Sequence, residues 1–341
     1  MAEDVAKELK NVSTTNARVL ARQPTVETSR AQFANDVAYY LSLGPRQLPS
    51  RYLYDELGSA LFDAICQLPW YGLTRAETAL LTKHAREVFT ALDPLTRIVE
   101  LGSGSGEKLA RLLTAGRGGL SPLDLHLVDV SKLALETASS ALSAFEGVRV
   151  VTHQAPYEAG LEEVSRESFS GGRSLLLFLG SNIGNFDPPG ADAMLRLIRA
   201  TLAPGDGFLV GADLMKPERD LLLAYDDPLG VTAAFNRNLL VRINRELGAD
   251  FNLGGFTHRA VWNQEASRIE MHLVSTRSQY VRVPAAHIEF AMNEGETIWT
   301  ESSYKYRRDD LMAMLDRNGF GRPRQWIEPT AQFALTLVDA Q

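Results

Sequence analysis

An α/β fold built on a mostly parallel sheet is predicted by three observations. From about residue 95 the chain alternates strand, glycine turn and helix. The run SLLLFLG at 174–180 is almost wholly apolar, as a strand buried on both faces of a parallel sheet must be. The 341 residues are 45% hydrophobic and 23% charged, close to a soluble globular enzyme and long enough for two domains or one large domain with an insertion.

Taken in order, TRIVEL is the first strand, ending at Leu101, and the turn GSGSGEK leads into KLARLLTA, whose leucines recur at helical spacing. LDLHLVDV is the second strand, with Ser131 as N-cap of the helix LALETASSAL. VRVVTH follows, then SLLLFLG and the turn SNIGNFDP, then a helix, a Pro-Gly turn and a buried strand within residues 188–214. The order is β-α-β-α-β-β-α-β, and the helix DDLMAMLDRNGF with RQWIEP and FALTLVDA near residue 341 completes the sheet. Between Lys216 and roughly Lys305 the alternation is interrupted by a segment too long for a plain loop. In it VTAAFNRNLLVRINREL reads as a helix and RAVWN, RIEMHLVS and QYVRV as strands. The expected division is a disordered tail at 1–22, a substrate-binding domain from 23–75 plus 216–305, and a cofactor-binding domain from 76–215 plus 306–341.

Composition excludes several classes. The single cysteine, Cys66, rules out an internal disulfide and reads as a small buried hydrophobe; without CxxC or HxxxH spacing no metal site is expected. Aspartate and glutamate outnumber lysine and arginine, 42 to 35, with no basic block, so a small substrate is favoured over a nucleic acid. No apolar run spans a bilayer and the first residues lack a secretory pattern, so a cytoplasmic protein with no membrane partner is expected. The oligomeric state stays open, a monomer included. The six histidines have no partners at ligand or catalytic spacing and read as structural or surface residues.

In an open α/β sheet, ligands bind beyond the carboxyl ends of the strands, and Glu100 to Gly106 occupies that place after the first strand. Gly102, Ser103 and Gly104 let backbone approach a ligand, although a dinucleotide dehydrogenase or a plain tight turn also carries such glycines. Asp129, ending the next strand, is placed to accept the ribose hydroxyls of an adenosine. Glu100 ahead of the turn, and bulky GSGEK where a dinucleotide fold wants a packing glycine, favour S-adenosyl-L-methionine as the cofactor.

Six stretches together resemble one family, the L-histidine Nα-methyltransferases of ergothioneine biosynthesis: RYLYDELGSALFDAICQLPWYGLTRAE, ELGSGSGEK, FLGSNIGNFDP, AYDDPLGVTAAFNRNLLVRINRELGADF, RIEMHL and TESSYKY. The resemblance implies a Rossmann-like class I methyltransferase sheet with an inserted second α+β substrate-binding domain, and trimethylation of histidine to its betaine, hercynine. Carried over by position, it implies that Asn185 and Tyr225 hold the α-amino and carboxylate groups, with Tyr54 and Tyr71 completing that wall. Asn185, Tyr225 and Tyr54 would then carry catalysis. Glu301 and Ser303 would face the imidazole with Met271 beside it. Lys108 is also expected in the cofactor site, and Tyr157 there as a candidate to hold the adenine.

Plainer roles exist for each residue. Asn185 could cap the next helix, the tyrosines and Met271 could be packing residues, and Glu301 could be a surface acid. The chain also departs from the family. Trp70-Tyr71-Gly72-Leu73 keeps one tyrosine of the usual Tyr-Tyr-Pro, and Ala155-Pro156-Tyr157 replaces the Gly-Asp-Phe/Tyr whose aspartate holds the adenine. Another amino acid such as tryptophan or tyrosine as acceptor, or a non-catalytic S-adenosylmethionine-binding module, therefore remains open.

Overall fold

The computed structural model describes residues 26–118, 121–167 and 171–341; the expected tail at 1–22 lies outside them. Seven strands form the main sheet: β2 (Leu95–Leu101), β3 (Leu123–Asp129), β4 (Val148–Gln154), β5 (Arg173–Phe178), β6 (Gly207–Asp213), β12 (Phe320–Glu328) and β13 (Phe333–Ala340). Their spatial order is β12-β13-β6-β5-β2-β3-β4. β2 pairs in parallel with both β3 and β5, so the strand order reverses at β2 and opens a crevice at the carboxyl ends there. β13 runs antiparallel between β6 and β12.

The connections are α4 (Glu107–Gly116), α5 (Lys132–Leu142), α6 (Tyr157–Arg166), α7 (Pro188–Thr201) and α10 (Arg308–Arg317). Ser131 caps α5 by accepting from the Ala134 N–H at 3.2 Å, as its sequence position predicts. Helix α6 is a correction, because the sequence reading runs β4 straight into β5. Pro156 sits just before the helix and Gly160 inside it, and both read as breakers. The glycine is there for packing, since a Cβ at Gly160 would come within 2.2 Å of the Val128 side chain.

The smaller sheet has the order β1-β11-β8-β7: β1 (Arg46–Gln47), β11 (Thr297–Tyr304), β8 (Arg268–Ser275) and β7 (Phe256–Asn263). A hairpin of β9 (Gln279–Val283) and β10 (Ile288–Met292) stands beside it. The sequence reading missed β10 and β11. β11 slips register between Trp299 and Glu301, and such a bulge destroys the two-residue alternation by which a strand is recognised.

Five helices accompany this layer: α1 (Val26–Ser42), α2 (Glu56–Gln67), α3 (Leu73–Ala91), α8 (Glu218–Tyr225) and α9 (Val231–Leu247). α3 packs on α4 and on β13, so the boundary expected at residues 75 and 76 falls inside a helix that lies on the main sheet. One apolar cluster runs from Ile98, Leu109 and Leu177 through Leu81 to Phe235 and Met271, joining both sheets; a second, with Phe178, Ile198, Phe208 and Leu315, fills the other face of the main sheet. No helix among the described residues is long and apolar enough to cross a membrane.

Candidate functional site

The turn after β2 is held by backbone. Gly102 and Gly104 have φ of +72° and +50°, which residues with a Cβ rarely adopt. A Cβ on Gly102 would also sit 2.9 Å from the Asn182 amide and 3.0 Å from Tyr157 Oη. Asp129, at the end of β3, accepts the Gly104 N–H at 3.0 Å on one oxygen and the Ser131 N–H at 2.9 Å on the other. Each oxygen keeps a lone pair for a ligand hydroxyl.

Two groups in this cleft fit a cationic, hydroxylated ligand. Glu100 is buried, and its Oε2, like Ser103 Oγ, is a buried polar atom without a hydrogen-bond partner in the structure. Burial pushes the Glu100 carboxyl up to about 8, against the pull of the Lys108 ammonium. An unpaired buried carboxyl is costly alone and becomes an asset once a cation meets it. These are the properties that the amino-acid end and ribose of S-adenosylmethionine require. Tyr157 opens α6 half-buried, its ring edge-on to Phe178 at 5.3 Å and its hydroxyl beside Gly102. Lys108 is tied 2.5 Å from Glu77, a buried residue of α3 that also accepts the Gly180 N–H on both oxygens, at 2.8 and 2.9 Å. Glu77 thus links α3, α4 and the turn after β5, and sequence reading missed it. Cys66 corrects another expectation: it is half-buried and lines the cleft.

A second, inner pocket collects every expected substrate residue: Tyr54, Tyr71, Asn185, Tyr225, Met271, Glu301 and Ser303. They converge from separate elements. Tyr54 follows the 3-10 turn Ser50–Leu53, Tyr71 lies between α2 and α3, Asn185 ends the 3-10 turn Asn182–Asn185 after β5, and Tyr225 ends α8. Glu301 and Ser303 are two residues apart on β11 and share a face, and Met271 of β8 is the cross-strand partner of Glu301. Asn185 does not cap α7; Asp187 does, accepting from the Gly190 N–H. Tyr71 meets Tyr225 edge-on at 6.2 Å, and Tyr54 meets Phe235 at 5.5 Å. Tyr54, Tyr71, Asn182, Asn185 and Gly180 line both the pocket and the cofactor cleft, so the two spaces adjoin.

The pocket is desolvated. Burial holds the Tyr54 and Tyr71 hydroxyls well above the ordinary phenol value, so both stay protonated. It pushes the Glu301 carboxyl up to about 7, with Lys305 pulling the other way. Behind the wall, buried Lys305 donates to Tyr225 Oη at 2.8 Å and to Ser303 Oγ at 2.9 Å, and ion-pairs with Asp213 at 2.9 Å. Asp213 is buried at the end of β6 and holds Lys216 on its other oxygen at 2.6 Å. Burial alone would lower Lys305; Asp213 and Tyr225 raise it, so it stays charged.

Three buried histidines have partners brought to them by the fold. His258 donates to the Tyr225 carbonyl at 2.8 Å while Asn236 occupies its other nitrogen, which braces the end of α8. His126 and His153 lie 3.1 Å apart, His153 meets Glu163 at 3.0 Å, and with Glu167 they bring metal-ligating atoms within 4.8 Å of one another. Their facing nitrogens are spent on each other.

Comparison with known proteins identifies the family. Residues 33–340 match the family model described as histidine-specific methyltransferase, SAM-dependent. The chain is 39% identical over 320 residues to a histidine N-alpha-methyltransferase of Mycolicibacterium smegmatis, covering 94% of this chain and 98% of that one. It is 42% identical over 305 residues to one of Mycobacterium tuberculosis, covering 89% and 93%. At 24% identity it also matches an L-tryptophan methyltransferase of Psilocybe serbica, covering 87% and 89%. The chain belongs to the family of histidine-specific, S-adenosylmethionine-dependent methyltransferases and is an enzyme of that class.

Proposed function

We propose that the inner pocket holds L-histidine, with its α-amino nitrogen toward the cofactor cleft, and that this nitrogen receives up to three methyl groups to give hercynine. The observation that carries the reading is the meeting of the two spaces at Tyr54, Tyr71 and Asn185. S-adenosylmethionine supplies an electrophilic methyl on a sulfonium. The protein's part is to present a neutral amine in line with it and to exclude water. Asn185 and Tyr54 orient the amine, and neither is a competing nucleophile while Tyr54 stays a phenol. Tyr71 and Tyr225 donate to the carboxylate, each such bond to an ion being worth about 1.5–3 kcal/mol.

On the far side, Glu301 and Ser303 meet the imidazole, and Met271 packs beside it. On the cofactor side, Asp129 takes the ribose hydroxyls, the Gly102–Gly104 backbone and Glu100 take the methionine end, and Tyr157 shapes the floor. Lys108 acts through Glu77, to which it is tied. The acidic balance of the chain fits an enzyme of a free amino acid rather than of nucleic acid.

Incubation with S-adenosylmethionine and a mixture of the twenty amino acids, followed by mass spectrometry, tests the acceptor. Histidine carrying one, two and then three methyls is the expected result. Methylation of tryptophan or another amino acid instead overturns the acceptor while leaving the cofactor site intact; cofactor binding with no product turns the reading toward a non-catalytic binder.

A further inference from the structure

The Tyr225–Ser303–Lys305 triangle restricts what the pocket can recognise. Tyr225 Oη and Ser303 Oγ lie 2.8 Å apart, and Lys305 donates to both. A hydroxyl has one hydrogen, and an ammonium has no lone pair to accept it. One hydroxyl hydrogen therefore fills the Tyr225–Ser303 bond, and only the other is free to point into the pocket. If Ser303 donates to Tyr225, Tyr225 donates into the pocket and Ser303 can only accept from it. If Tyr225 donates to Ser303, the roles exchange. While the Tyr225–Ser303 bond is kept, the pair shows a ligand one donor and one acceptor.

We propose that Lys305, anchored by Asp213, is a specificity-determining positioning residue that couples carboxylate recognition to ring recognition. The coupling rests on the acceptor orientation proposed above. Once the substrate carboxylate draws the Tyr225 hydrogen, Ser303 is left as an acceptor, and the ring nitrogen facing it must carry a hydrogen. A ring of the same size without N–H meets lone pair against lone pair there; relief requires Ser303 to leave Tyr225, which the Lys305 bonds to both oxygens oppose.

The test compares kcat/KM for L-histidine with that for β-(4-thiazolyl)-L-alanine, a ring of similar size that has no N–H. In the wild-type protein histidine is preferred by at least ~100-fold, because a site built for an N–H leaves its own polar groups unpaired with the analogue. In Lys305→Met nothing pins Ser303 against Tyr225, so Ser303 can turn away and donate to the ring, and the preference falls at least ~10-fold, largely through KM. Ser303→Ala lowers the preference as well, and adding Lys305→Met to it lowers the preference no further. A Lys305→Met protein slowed equally on both substrates shows a purely structural lysine and overturns the proposal. Should that variant not fold, Tyr225→Phe examines the same link, and an unchanged preference in it overturns the proposal equally. Wild-type protein that does not methylate histidine at all overturns the acceptor orientation and this inference with it.

Discussion

The two halves of the proposed active site are made of different material. The proposed cofactor cleft is centred on a backbone turn: glycines at positive φ, amide hydrogens fixed by Asp129 and Glu77, and beside them a carboxyl oxygen without a hydrogen-bond partner. The acceptor pocket is side chains from both sheets, ringed by aromatics and backed by a buried ion network. A backbone cradle is insensitive to most substitutions and intolerant of a few. A side-chain pocket can be retuned residue by residue. Acceptor choice should therefore vary within this fold while cofactor use stays fixed.

Substitutions can break that contrast. The largest effect is expected for Gly102→Ala, where unfavourable φ combines with crowding by Asn182 and Tyr157. Activity should fall on the order of 100-fold through cofactor KM, and alike for every acceptor. An acceptor-dependent loss would show that the two halves are not separable. Glu301→Ala should come next, costing about 30-fold with histidine and little with tryptophan, as parallel kcat/KM measurements would show. Gly104→Ala carries only the φ penalty, since nothing lies within 4 Å of its added Cβ. A strain of about 1–2 kcal/mol predicts a drop of about 10-fold in cofactor affinity by calorimetry.

The smallest effect concerns the protein without ligands. The folded values of Glu100 and Glu301, about 8 and about 7, lie above the ordinary glutamate value of 4.5. Their protonation favours the fold at pH below 4.5, and that contribution is lost as pH rises through 7 and then 8. Glu100→Gln should therefore raise stability at pH 8 by on the order of 1 kcal/mol and flatten the decline from pH 5 to 8 in thermal melts. An unchanged slope would mean that Glu100 is ionised throughout.

The cofactor half was the more legible from sequence because it is local. Gly102, Gly104 and Asp129 belong to one β-α-β unit, where spacing along the chain carries the geometry. The acceptor half draws on residues from Tyr54 to Ser303, and resemblance rather than pattern picked them out. Helix α6 was hidden by Pro156 and Gly160, and β11 by its bulge. Glu77, Asp213 and Lys305 gave no signal, because a charged residue is read as surface until the fold supplies its partner. The sequence reading left Lys305 as the edge of a segment, and the structure puts it behind the pocket wall.

Gly211, inside β6, is not among the residues that line the cleft or the inner pocket, yet a Cβ there would come within 2.0 Å of Glu77 Oε1. Any larger residue evicts that carboxylate and frees both Lys108 and the Gly180 turn. Over evolutionary descent positions 77, 108 and 211 should therefore behave as one heritable unit, changing together or not at all, and a lineage that lost the central glycine would register it first as a cofactor defect.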